Sequence, residues 1–238
     1  MLKDLPLYVP VIFILTTLAT LFFFYVAIKN STNERIRKQA GIILIGLALW
    51  LVVQAVFALK NVYNTDTTAM PPKILLLGIA PMIVIILLSF ATKKGRSFID
   101  SLPLQNITWL NVVRIPIEFV LLWLALNKVV PQLMTFEGRN FDILSGITAP
   151  FIAYFGFTRQ ALNRKIILVW NFICLALLAN IVINALLSTP FPFQQFAFDQ
   201  PNIAVLYFPF TWLPFFIVMI VLYSHLAAIR QLINYRRE

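Results

Sequence analysis

Long apolar segments alternate with short polar, mostly basic ones along all 238 residues. Seven of them approach the ~20 residues a helix needs to cross a bilayer. They lie at about 9–28, 40–59, 74–92, 108–126, 142–158, 166–187 and 204–226. The fifth is the shortest and contains Gly146, Pro150 and Gly156, which predicts a broken or tilted helix. No polar stretch exceeds about 20 residues, well short of the ~50 of a small soluble domain. The pattern therefore predicts an all-α integral membrane protein, a bundle of seven transmembrane helices forming one polytopic domain over 1–238. The first apolar run is too long for the h-region of a signal peptide, and no small-residue cleavage site follows it, so it reads as a retained span.

The basic residues set the orientation. Lys29, Arg35, Arg37, Lys38, Lys93, Lys94, Arg96, Arg159, Arg164, Lys165, Arg230, Arg236 and Arg237 fall on one side of the predicted spans. Lys3, Lys60, Lys73, Lys128 and Arg139 fall on the other. The positive-inside rule makes the first side cytoplasmic. Seven spans then place the N-terminus outside and the C-terminus inside.

Composition agrees with this class. The chain is 61% hydrophobic and 12% charged, against about a quarter charged for a soluble domain. The net charge of +10 does not indicate nucleic acid, because the cations are dealt out in clusters between spans rather than gathered in a stripe. Cys174 is the single cysteine and His225 the single histidine, so an internal disulfide and Cys- or His-rich metal sites are excluded. His225, at the inner end of the last span, reads as an interfacial residue. No Gly-rich phosphate loop, Gly-x-Ser-x-Gly or His-x-x-x-His occurs, and neither a cofactor nor a catalytic residue is expected.

Pro81 in the third span and Pro214 in the seventh precede similar aliphatic runs with basic exits. A 3+1+3 arrangement, with the fourth span as linker, is compatible with this pattern and with transporters built from parallel repeats. Span number and orientation are similar to those of the sugar-transporting PQ-loop families. The similarity ends there, because Pro131-Gln132 lies in an outer loop and is not repeated. A retinal protein is excluded by the lack of a lysine in 204–226.

Arg114 and Glu118 are the two charged residues well inside an apolar run. A charge at mid-bilayer costs about 2.5–3.5 kcal/mol on insertion scales, so both mark a candidate site. With Asn111 they follow i, i+3, i+7 spacing and share one helix face. Gln54, Asn180 and Asn184 are further intramembrane amides expected to face that stripe across an outward-opening polar cavity. Glu137, Arg139 and Asp142 form a candidate rim, or a local turn network around Gly138. The loop 188–203 carries Phe191, Phe193, Phe196 and Phe198 among three prolines. It reads as an aromatic belt or a docking surface for a membrane protein partner.

The expected function is that of a small transporter-like protein in a bacterial cytoplasmic (inner) membrane. Arg114 and Glu118 would bind a proton, a cation or a small solute. A sensor for a small or apolar ligand, or a non-catalytic subunit of a membrane complex, are the alternatives. The expected partners are the lipid bilayer, a small solute or apolar ligand, and a membrane protein, with no nucleic acid.

Overall fold

The computed structural model describes Leu2 and residues 5–234. The described residues form helices and connecting loops, without a strand. We number the helices α1 (Tyr8–Lys29), α2 (Glu34–Leu59), α3 (Leu75–Ala91), α4 (Lys93–Ser101), α5 (Leu104–Leu126), α6 (Ile143–Thr158), α7 (Arg164–Ser188) and α8 (Leu213–Asn234). Five of them, α1, α2, α5, α7 and α8, are long and apolar enough to cross a membrane, and the count is six where the bent pair α3–α4 is taken as one span. The predicted fifth span becomes α6, which is apolar but falls short of that length. Its last turn, Tyr154–Thr158, widens into a π-helix, and Pro150 lies inside it. The cations Lys3, Arg236 and Arg237 lie outside the described residues.

The outward faces are apolar. Ile42, Ile45 and Leu49 on α2, Val84, Leu87 and Leu88 on α3, and Phe172, Ile173 and Ile183 on α7 are all exposed. A soluble bundle reverses this pattern, and a helix that is apolar all round belongs in lipid. The basic connection after α3 turns through 91° into α4. Thr92 caps α4 by accepting from the Gly95 N–H, and Arg230 of α8 pairs with Asp100 at its far end.

Proline shapes three of the spans. Pro81 has no N–H to offer the Leu77 carbonyl, and α3 opens in a π-turn at Leu75–Ile79. Gln54 of α2 supplies the missing donor, from Nε2 to Leu77 O at 3.1 Å. Its Oε1 accepts from the Tyr63 hydroxyl. This buried amide therefore repairs a broken helix. Pro214 likewise lies in a π-turn, Leu213–Ile217, at the start of α8. The two π-turns press together at Gly78, where a Cβ would lie 2.0 Å from the Phe215 ring. In α5, Pro116 follows a tight 3-10 turn, Leu110–Val113. Gly146 lets α6 approach that point, since a Cβ there would lie 2.8 Å from Ile115 and 3.3 Å from the Arg114 Cβ.

The loop after α5 folds inward. Lys128, at φ 60°, ends the helix, with Val129 N–H bonded to Leu124 O, a left-handed C-terminal closure. The chain then dips so that Met134, Thr135 and Asn140 are buried. Thr135 gathers the turn: its carbonyl accepts from Gly138 and Asn140 N–H, while Arg139 N–H reaches Leu133 O. Gly138 is required here, because a Cβ would lie 2.3 Å from the Gln132 carbonyl. The aromatic loop packs over the same end of the bundle. Ile203 and Ala204 N–H both reach Val129 O, and Gln200 Nε2 donates to Ala125 and Val130 carbonyls. Of its four phenylalanines, Phe198 alone is exposed.

Candidate functional site

A cavity of about 380 Å³ lies between α3, α5, α7 and α8, within the ~300–1,000 Å³ of ligand pockets. Its walls are aliphatic, with Ile83 from α3, Leu121 from α5, Ile181 and Ala185 from α7, and Ile217 and Leu222 from α8. Arg114, Glu118 and Asp142 line it too, all three buried.

The guanidinium pairs with Asp142, not with Glu118: Arg114 Nε stands 3.2 Å from Asp142 Oδ2. None of the three guanidinium nitrogens has a hydrogen-bond partner among the described residues, nor has Asp142 Oδ1. Arg114 therefore does not use the Val112 carbonyl that Pro116 leaves open. An unmade hydrogen bond at a buried polar group costs about 1–3 kcal/mol, so these atoms form the most under-satisfied cluster among the described residues.

Glu118 is held by Asn140. Asn140 Nδ2 lies 2.7 and 2.8 Å from the two Glu118 oxygens and 3.0 Å from Met134 O. Its Oδ1 accepts from the Asp142 N–H at 3.0 Å, which fixes the amide orientation. Two amide hydrogens thus serve three acceptors. Once Met134 O takes one, the two carboxylate oxygens share the other. Asn140 also ties the two acidic residues together, since its side chain touches both Glu118 and the Asp142 backbone.

The expected constellation is rearranged. Asn111 turns back on its own helix, donating to Ile107 and Thr108 carbonyls. Gln54 serves the α3 break. Asn180 donates to Arg139 O at 2.8 Å and Asn184 donates to Asn180, so these two grip the buried loop from α7. None of these four amides lines the cavity. Its walls are accordingly mostly apolar, with the ion cluster, Thr189 and Asn202 as the polar lining. Intramembrane amides bond to the nearest free carbonyl because no water competes there. The rim also divides. Glu137 and Arg139 are exposed, whereas Asp142 is buried at the head of α6 and closes on Arg114. The turn network around Gly138 is what places it.

Asn140 carries no charge, so nothing in its loop singles it out. The signal was indirect: two charges on one span and no charge inside the other apolar runs leave a loop to supply the partners. His225 also departs from its interfacial reading. It is fully buried, with Nδ1 2.9 Å from Asn171 Oδ1. Asn171 Nδ2 donates to Ile167 O, so its oxygen faces the ring and Nδ1 carries the proton. Among the described residues no group of three His, Cys, Asp or Glu side chains is placed to hold a metal. No family model, no curated protein and no solved structure matches this chain.

Proposed function

We propose that this is a transporter-like protein of a bacterial cytoplasmic membrane, which takes a small, mostly apolar solute into the cavity between α3, α5, α7 and α8. The polar end of the solute meets Arg114, Asp142 and Glu118. One observation carries this reading: a buried guanidinium with no hydrogen-bond partner among the described residues, beside a mostly aliphatic cavity of ligand size. Structural pairing alone gives a weak reason for such a cluster. Polar contacts between membrane helices average about 0.6 kcal/mol, well below the cost of inserting three charges.

In this reading α6 crosses as the seventh span, shortened and tilted, with the N-terminus outside. The matching π-turns near Pro81 and Pro214 support the 3+1+3 plan. Cysteines placed at Thr67 and Gln194 label from outside in intact cells, and one at Asn33 does not. Labelling at Asn33 from outside reverses the orientation.

The cavity is tested by filling it. Ala185→Phe projects a ring into the space while sparing the ion cluster. With the protein in lipid nanodiscs, three probes of one tail length are titrated: dodecanoic acid, dodecanol and dodecyltrimethylammonium. At least one binds wild type saturably, and Ala185→Phe weakens that probe at least tenfold with unfolding unchanged. Absence of saturable binding by every probe rejects the cavity reading.

A further inference from the structure

Ile83 on α3 and Val182 on α7 both line the cavity and are both exposed, so it is open between these two helices. A molecule lying in the cavity reaches from the membrane-facing surface to the ion cluster. It can enter sideways, from the bilayer, with an apolar tail in contact with Ile83, Ile181 and Leu222.

The unsatisfied atoms select the head group. Among the described residues that line the cavity, Arg114 offers Nη1 and Nη2 without partners, four N–H groups in all, while Asp142 and Asn202 offer one oxygen each. Donors exceed acceptors, so the head must accept. Two adjacent N–H groups on a planar fork match a two-oxygen acceptor in bidentate fashion. A cationic head would leave the guanidinium unsatisfied and add repulsion to it. An anion arriving alone would meet Asp142 and Glu118, two carboxylates against one guanidinium. The conflict disappears if the head arrives neutral and gives up its proton on the spot.

Building on the cavity reading above, we infer that the ligand is a single-tailed carboxylic acid from the bilayer, bound as carboxylate on Arg114 with its proton passed to Glu118. The ligand O–H bond breaks and an O–H bond forms on Glu118. Ligand carboxylic acid and Glu118 carboxylate become ligand carboxylate and Glu118 carboxylic acid. The net charge of the site is the same before and after, so no extra charge is buried. Glu118 suits the task because a single amide hydrogen is all that its two oxygens share. Asn140, locked by Met134 and Asp142, holds it in place as a positioning residue.

The test uses dodecanoic acid labelled with 13C at the carboxyl, on the whole chain in nanodiscs, read by infrared difference spectroscopy. The expected result is saturable binding at least tenfold tighter than dodecanol or dodecyltrimethylammonium, with the labelled band that of an ionised carboxylate at neutral pH. Glu118→Gln preserves the shape and removes the proton acceptor, and the bound band then shifts to that of the protonated acid. Arg114→Lys weakens the acid at least tenfold and dodecanol by much less. Equal binding of all three probes shows that the tail alone is recognised and overturns the assignment, while the cavity reading survives. Preference for the ammonium makes the cluster a cation site and also overturns it. An ionised band retained in Glu118→Gln rejects the proton transfer.

Discussion

Arg114→Met is expected to lower stability by about 3–5 kcal/mol, the usual result of leaving one member of a buried ion pair uncompensated. The charge left behind is Asp142, whose Oδ2 lies 3.2 Å from Arg114 Nε. Asp142→Asn should cost a similar amount. The double variant Arg114→Met/Asp142→Asn should recover a large part of the loss, because both charges leave together. Arg114→Met/Glu118→Gln should recover less, since Asp142 still stands uncompensated. Unfolding in detergent, followed by circular dichroism, gives all four numbers of each cycle. A larger coupling energy for Arg114–Glu118 than for Arg114–Asp142 would contradict the observed pairing.

The second large effect is at Asn140. Asn140→Asp keeps the shape of the side chain but replaces the Nδ2 donor, 2.7–2.8 Å from both Glu118 oxygens, with an acceptor. At neutral pH two carboxylates then face each other out of water. The loss combines an unpaired buried acceptor, about 1–3 kcal/mol or more when charged, with like-charge repulsion. Acid should relieve it, because one proton shared between the carboxyls removes the repulsion and restores a donor. The stability gap between variant and wild type therefore narrows as pH falls from 8 to 5. A gap that is constant across that range rejects direct contact between positions 140 and 118.

Much of this was legible in the chain. The apolar segments overlap every long helix, because a bilayer demands length and hydropathy before anything else, but the last one, expected at 204–226, runs over Leu213–Asn234 because residues before the Pro214 turn form a loop. Arg114 and Glu118 stood out because their surroundings are purely apolar. The partners were not legible in the same way. Helix periodicity alone pairs Arg114 with Glu118, four residues on, yet the tertiary fold offers Asp142 from the head of α6. That contact depends on Gly146, which lets α6 approach, and on the turn at Gly138, which buries the loop. Neither dependence is visible in periodicity. Spacing puts Asn111 on the charged stripe and the amides at 54, 180 and 184 opposite it, but each of the four bonds within the protein scaffold. Gln54 was decipherable in principle: Pro81 leaves a free carbonyl, and a buried amide on a neighbouring span is the natural donor.

The neutral double variant supplies the decisive comparison, because it separates a cluster that binds from one that only holds the bundle. Arg114→Met/Asp142→Asn should remain folded, with both buried charges removed and the aliphatic walls intact. Saturable binding of the dodecyl probe that wild type prefers is measured on it in nanodiscs. At least a tenfold loss of affinity is expected, with the fold preserved. Wild-type affinity in the folded neutral variant would show that the cluster is structural, and would contradict a ligand site at Arg114.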